Sequence, residues 1–382
     1  MQLRLCAAGG LEQAVAREVE REGLVCTRVG RGFVRLEVDT ATAARLTLSL
    51  RTVSRVIWEV GTQLATTRDG LTAAVAALPW ESLLPRQRSW RVRAGGRSQA
   101  LTHTGFAAQV VADGIRDRFV RRRLEPPPVD LERPDILVDL HLGSGGAEVG
   151  LDLAARSLHA RGTGRRAPAP LREDVAAGLA HLAGIGADRP IIDPFCGSGT
   201  LLAETLAVAL GMPAGRRPRE LALSRLPRFS SLDLEALVPA GPQTPAGTLG
   251  WGFDAEAGVI AQARRILTHY GLDEVARIRA CAVDRLDVRA LPTGPGWIVT
   301  NPPWGRRLGG DPSTLWRALG TLARRLPGWR LAVLSGDPAL TRHLGLRADR
   351  RFPVRIGGVD TRWLLYSIHP GPSRKPSSAS LR

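Results

Sequence analysis

The spacing of apolar residues changes along this chain, and the changes mark its parts. Leu3-Arg4-Leu5 is short and extended, and Leu11, Val15 and Val19 then recur at helical spacing within Leu11 to Glu22. Gly32 to Val38 alternates as a half-buried strand, and Thr40 to Leu50 reads as a helix. A second small module follows, with a strand at Trp90 to Ala94 and an amphipathic helix from Thr104 to Val120 that ends in Arg121-Arg122-Arg123. Pro126-Pro127-Pro128 breaks the chain after it. Ile136 to Leu142 and Ala147 to Leu153 then pattern as a hairpin around Gly143-Ser144-Gly145-Gly146.

From about residue 165 strands and helices alternate, the signature of a parallel sheet with crossovers. Strands are predicted at 190–192, 249–253, 278–282, 297–300 and 330–334, and helices at 171–183, 200–210, 257–270 and 313–326. The stretch 211–248, rich in Pro, Gly and Leu, reads as an insertion with partial helix. The tail from Gly371 has a disordered composition.

A length of 382 residues with 44% hydrophobic content allows two or three domains with real cores. Lys and Arg number 53 against 36 Asp and Glu, giving a net charge of +17 and a pI near 11.3. That balance favours a polyanionic partner, because each neutralised phosphate releases counterions. Lys375 is the one lysine, so the charge is almost entirely arginine. Genome composition can produce such a bias, yet arginine also suits phosphate through its bidentate fork. Cys6, Cys26, Cys196 and Cys281 are scattered, with no CxxC and no Cys/His cluster of metal-ligand spacing. This argues against a disulfide framework or a zinc site and fits a reducing cytosol. The N-terminus lacks the apolar core of a signal peptide, and nothing approaches the ~18 apolar residues of a membrane span. The expectation is a soluble, cytoplasmic, metal-free monomer.

The chemistry concentrates at predicted strand ends. Ile191-Ile192-Asp193-Pro194-Phe195-Cys196-Gly197-Ser198-Gly199-Thr200 reads as strand, glycine turn and helix start. Gly197 and Gly199 let a ligand approach the backbone, and Ser198 or Thr200 can cap the helix. A dinucleotide turn would need a third glycine where Leu202 stands, and a P-loop would need a lysine that is absent. The next strands end in Asp254 and near Asp284, acids suited to ribose hydroxyls and an adenine amine, or simply to helix capping. A further strand, Trp297-Ile298-Val299, leads into Thr300-Asn301-Pro302-Pro303-Trp304-Gly305. Carbonyl acceptors beside a flat aromatic suit a planar base amine, whose lone pair is delocalised into its ring. Acceptors that bind both of its N–H bonds favour the less conjugated, nucleophilic geometry. A rigid turn after a buried strand would use the same Pro pair. Ligands in open α/β sheets bind at the carboxyl edge of the strands, where all these residues fall.

Asp193 to Thr200 followed by Asn301 to Trp304 resembles the class I S-adenosylmethionine-dependent methyltransferases that act on exocyclic amines. Leu151-Asp152-Leu153, Ser157 to Gly162 and Ala169 to Glu173 are similar to the segments that precede this motif in THUMP-containing RNA methyltransferases. Members of that group make N2-methylguanosine in transfer RNA or large-subunit ribosomal RNA. The helix Thr104 to Phe119, with Asp113-Gly114-Ile115-Arg116-Asp117, resembles the THUMP helix, and the resemblance spans nearly the whole chain. Two departures stand out: Trp304 where Tyr or Phe is commoner, and Gly162-Thr163 where the family tends to have an aromatic after Gly.

The resemblance implies an α/β fold, a Rossmann-like class I methyltransferase domain with a mostly parallel seven-stranded sheet behind an α+β ferredoxin-like and THUMP region. The expected parts are a ferredoxin-like domain at 1–60, THUMP at 61–155, a linker at 156–170, the catalytic domain at 171–370 and a tail at 371–382. It also implies that S-adenosylmethionine is held by Asp193, Pro194, Cys196, Gly197, Ser198, Gly199, Thr200, Asp254, Ala255, Asp284 and Asn301. Asn301, Pro302, Pro303 and Trp304 would carry catalysis, with Cys196 packing rather than reacting. Structured RNA would meet the arginine clusters: Arg86, Arg88, Arg91, Arg93 and Arg97, then Arg121, Arg122 and Arg123, then Arg161, Arg165 and Arg166. Transfer RNA is the expected substrate, with ribosomal guanine, an adenine amine, DNA, protein glutamine, or a silent RNA-binding role as alternatives.

Overall fold

A computed structural model describes residues 1–161, 171–241, 249–304 and 311–369. The chain forms two compact units, one of Met1–Arg161 with Pro213–Gly241 and one of Gly162–Met212 with Pro242–Arg382.

The first unit contains β1 (Gln2–Cys6), α1 (Glu12–Arg21), β2 (Arg28–Gly30), β3 (Phe33–Glu37), α2 (Thr40–Ser49), β4 (Arg55–Leu64), α3 (Arg68–Ala77) and α4 (Trp80–Leu83). It continues through β5 (Trp90–Gly96), α5 (Thr104–Arg121), β6 (Ile136–Gly143) and β7 (Gly146–Asp152). Its strands make one seven-stranded sheet in the order β2-β3-β1-β4-β7-β6-β5. Strand β4, which the periodicity did not reveal, carries the sheet across residue 60: it pairs with β1 on one side and β7 on the other. Its register shifts at Glu59/Gly61 and Gly61/Leu64, and such bulges destroy the alternation that betrays a strand in sequence.

Strand alternation places Leu3 and Leu5 of β1 in the same core as Val15 and Val19 of α1. Arg4 therefore faces the other way, and with Arg35 it enters a row of nearly buried charges. Arg4 contacts Asp139 at 2.5 Å, Glu59 at 3.3 Å and Glu148 at 3.7 Å. Arg35 contacts Glu59 at 2.8 Å and Glu148 at 2.5 Å, and Arg93 pairs with Asp139. Arg4 and Arg35 are directly opposed across β1 and β3, so the interleaved carboxylates offset a like-charge contact.

The segment 213–241 packs into this same unit. Leu221, Leu223, Leu226 and Phe229 are buried in its core, and Phe229 meets Trp58 edge-on at 6.5 Å. The Leu223 N–H donates to Leu153 O, and Arg216 donates to Thr47 O. Short 3₁₀ turns account for the partial helix expected there.

The second unit contains α6 (Glu173–Ala183), β8 (Ile191–Asp193), α7 (Thr200–Ala209), β9 (Gly250–Asp254), α8 (Ala257–His269), β10 (Ala276–Ala280) and β11 (Trp297–Thr300). After these come α9 (Pro312–Arg324), β12 (Arg330–Ser335), α10 (Pro338–Thr341), β13 (Arg350–Ile356) and β14 (Val359–Ser367). The sheet order is β10-β9-β8-β11-β12-β14-β13, parallel from β10 to β12, with β14 antiparallel to both its neighbours. This is the mostly parallel seven-stranded sheet expected of the fold. The order reverses at β8: the chain runs outward through β9 and β10, then returns to β11 on the other flank. Such a switch point opens a crevice at the carboxyl ends of β8 and β11. Among the described residues, no helix is long and apolar enough to cross a membrane.

Replacing Arg4 with Leu leaves three carboxylates short of a buried cation, and should lower stability by about 3–5 kcal/mol in urea unfolding of the full chain. Replacing the exposed Arg347 with Leu should change it by less than about 0.5 kcal/mol.

Candidate active site

Asp193 ends β8 and is 1% exposed. Its Oδ1 accepts from the Phe195 N–H at 3.1 Å and from the Thr300 hydroxyl at 2.7 Å. Its Oδ2 is buried with no hydrogen-bond partner among the described residues. Burial pushes this carboxyl up to about 7, with the nearby Asp254 charge adding to the rise and the two hydrogen bonds opposing it. The Thr300 bond joins the end of β8 to the end of β11, so two motifs 107 residues apart in sequence share one carboxylate.

The turn after Asp193 is built by its glycines. Gly197 has φ +50° and Gly199 φ +84°, both in the left-handed region. A Cβ on Gly199 would lie 3.0 Å from the Ala263 backbone of α8, so close helix packing also requires glycine there. A Cβ on Gly197 would meet nothing within 4 Å. The expected side-chain cap of α7 does not form: Gly199 itself is the N-cap, and Ser198 and Thr200 pair with each other at 3.3 Å. Uncapped amides at a helix start carry partial positive charge. Pro194 and Cys196 are buried, and Cys196 donates its N–H to Phe253 O. Burial, with Asp193 and Asp254 nearby, pushes the Cys196 thiol well above its ordinary range, which keeps it neutral and unreactive.

Asp254 ends β9 half-buried and accepts from Gly197 N–H at 2.9 Å and Glu256 N–H at 3.0 Å. It is thereby joined to the glycine turn, with Ala255 exposed beside it. The placement of Asp284 differs from the expectation of a strand end. β10 forms two residues earlier than predicted, in register with β9 up to Ala280↔Asp254, and Asp284 sits exposed in the 3₁₀ turn Val283–Arg285.

Asn301, Pro302, Pro303 and Trp304 follow β11 without regular structure. The Trp304 indole donates to Asn301 Oδ1 at 2.9 Å, and the buried Trp316 of α9 donates to Pro303 O at 2.9 Å. No described residue donates to the Pro302 carbonyl. Gly305 lies outside the described residues. Sequence reasoning missed Thr300 and Trp316, which hold the motif in place. Thr300 lies directly before Asn301, but nothing in the sequence pairs it with Asp193.

The arginine clusters divide by surroundings. Arg93 pairs with Asp139, Arg122 with Glu81 at 3.1 Å and Arg88 with Asp135 at 3.9 Å. Arg91 donates to Leu131 O and Arg161 to Arg51 O. Arg86, Arg97, Arg121 and Arg123 are exposed with no ion pair among the described residues. Arg165 and Arg166 lie outside the described residues, as does the tail.

Comparison with known proteins adds an independent line. Residues 161–364 match the RMKL-like methyltransferase domain, 2–57 the RlmL ferredoxin-like domain and 65–152 the THUMP domain. Ribosomal RNA large subunit methyltransferase K/L of Marinobacter nauticus is 32% identical over 96% of this chain, and that of Syntrophotalea carbinolica 33% over 95%. The chain spans about half the length of these curated relatives, 53% of each. A protein assigned as a methyltransferase and solved with SAH superposes with a TM-score of 0.82 at 25% identity, covering 97% of this chain and 98% of that one. A possible methylase from Clostridium difficile superposes with a TM-score of 0.85 at 24% identity, covering 98% and 99%, and shares the fold.

Changing Thr300 to Val removes one of the bonds that lowers Asp193. The Asp193 titration midpoint should move further above 7 in carbon-detected carboxyl NMR, and an unchanged midpoint would show the bond to be idle.

Proposed function

The chain belongs to the RMKL-like methyltransferase family, and on that premise we propose that it methylates the exocyclic N2 amine of a guanosine in large-subunit ribosomal RNA, using S-adenosylmethionine. The observation that carries the reading is the β8–β11 switch point, where the unpartnered Oδ2 of Asp193 and the acceptors of Asn301 and Pro302 stand on adjoining strand ends. Ribosomal RNA is favoured over the transfer RNA expected from the sequence because the curated relatives are named for ribosomal RNA.

The residues fit the cofactor. Asp193 Oδ2 is a buried acceptor awaiting a donor, which the methionine ammonium supplies. The open space above Gly197 admits the methionine and ribose end against the backbone. Asp254, already fixed by Gly197 and Glu256, accepts from the ribose hydroxyls with its remaining lone pairs, and the exposed Asp284 accepts from the adenine amine. When bound, S-adenosylmethionine supplies an electrophilic methyl group on a sulfonium.

The protein's own part is to orient the amine and stabilise its developing charge. Asn301 Oδ1 and the Pro302 carbonyl accept its two N–H bonds, which draws the nitrogen lone pair out of conjugation with the ring. As the nitrogen gains positive charge, the same fixed carbonyl dipoles stabilise it, worth about 10²–10³ in rate for one such group. Trp304 stacks on the base, and alignment of donor and acceptor supplies much of the remainder. The guanine leaves its stack to reach these groups. The exposed arginines of the THUMP-containing unit, Arg97, Arg121 and Arg123 among them, contact the RNA backbone.

Tritium transfer to ribosomal RNA, transfer RNA, DNA and protein, with nucleoside mass spectrometry of the product, tests the substrate. N2-methylguanosine in large-subunit RNA is expected, and exclusive labelling of transfer RNA or of adenine would overturn the assignment. Asn301→Ala should reduce transfer by about 10²-fold or more while S-adenosylhomocysteine affinity stays within about threefold, and unchanged turnover would sink its role. Because the Asp193 carboxyl sits near 7, an ammonium must displace its proton below that pH. Calorimetric affinity for S-adenosylhomocysteine should therefore rise between roughly pH 5 and 7 and level off above, a slope that Asp193→Asn abolishes. In the free protein the sign is opposite: a carboxyl raised by burial favours folding at acid pH and withdraws that contribution as pH rises through about 7.

A further inference from the structure

We infer that Trp304 is a positioning residue as well as a stacking surface: its indole N–H holds the Asn301 carboxamide with the oxygen directed to the amine site, and Gly336 is the seat that keeps the indole there. The inference rests on the function proposed above and concerns the Trp at 304, where Tyr or Phe is commoner in the resembled motif.

An indole N–H is a donor only, and of the two ends of a carboxamide only the oxygen can receive it. The 2.9 Å contact from Trp304 Nε1 to Oδ1 therefore selects one of the two flip states of Asn301. The torsion that relates them is broad and roughly two-fold, so an Asn without such a partner can turn its NH₂ outward. That state would confront the N–H bonds of a base amine with two more donors. With the indole in place, the second lone pair of Oδ1 remains for the substrate. The other acceptors on the segment need no such device: proline rings stiffen their backbone, and Trp316 holds the Pro303 carbonyl. A phenyl ring at 304 would keep a stacking face but lose the donor.

The seat is visible at Gly336, directly after β12, whose Val333 pairs with Thr300 of β11. A Cβ on Gly336 would lie 2.3 Å from Trp304 Cε3, 2.4 Å from Cζ3 and 2.8 Å from Cδ2. The six-membered part of the indole thus fills the volume that any side chain would claim. Gly336 does not have a left-handed φ, so it is space rather than backbone freedom that calls for glycine. Cε3 and Cζ3 belong to the larger ring system that distinguishes Trp from Phe. Trp304 and Gly336 are therefore complementary in volume.

The test uses the full chain as wild type, Trp304→Phe, Gly336→Ala and the double variant. With ¹⁵N-labelled indoles, the Trp304 N–H, identified among the other protected indoles by its loss in Trp304→Phe, should be protected from solvent exchange and exchange faster in Gly336→Ala and Asn301→Ala. Both single variants should lower kcat about tenfold, the scale of one lost hydrogen bond, with S-adenosylhomocysteine affinity and the RNA KM within about twofold. Gly336→Ala should cost little further in the Trp304→Phe background, because Cε3 and Cζ3, the two atoms it would strike most closely, are gone. Trp304→Phe with kcat within twofold of wild type, a loss confined to KM, additive losses in the double variant, or an unprotected Trp304 indole in the free protein would each overturn the inference. A wild-type protein that methylates no RNA would instead defeat the proposed function, leaving the exchange measurement to judge the Asn301–Trp304 contact.

Discussion

The hydrogen bond from Thr300 to Asp193 is the constraint around which the second unit is organised. It forms because β8 and β11 are neighbours in the sheet although α7, β9, α8 and β10 intervene in sequence. One oxygen of a buried carboxylate is thereby satisfied and the other left without a partner among the described residues. A carboxyl so placed sits near 7 rather than near its ordinary value, and it answers a cationic ligand strongly. The glycine turn follows Asp193 and donates the Gly197 N–H to Asp254, while the Asn-Pro-Pro-Trp segment follows Thr300 and is held by Trp316.

The N-terminal unit shows a different use of charge. Its sheet buries Arg4 and Arg35 among Glu59, Asp139 and Glu148, so arginines that inflate the net charge of +17 are spent inside the fold. Arg97, Arg121 and Arg123, by contrast, are exposed and unpaired among the described residues. The placement of 213–241 adds a practical point. A truncation at residue 160 would leave Leu221, Leu223, Leu226 and Phe229 without the core they fill, so a fragment carrying the second unit alone has to omit both parts of the first.

Much of this was legible in the sequence because it depends on local pattern. Helical spacing identified α1 and α5, glycine and proline marked the turns, and the residues at the ends of β8, β9 and β11 were read in order. The failures have physical causes. Bulges hid β4, and pairing with β9 ended β10 before Asp284, which left that residue on a turn. Ser198 and Thr200 looked like caps, but the left-handed Gly199 took the N-cap position itself.

What the sequence by itself determined is the chemistry available: a glycine turn, carboxylates, an acceptor segment with a flat ring, and an excess of arginine. What only the tertiary structure decided is which of these groups meet. A strand-order reversal brings Asp193 to Thr300, ion pairing engages Arg93 with Asp139, and the absence of one side chain at Gly336 gives Trp304 its place. The reason is that burial, pairing and excluded volume act between residues distant in the chain, and a linear pattern records the groups without recording their neighbours.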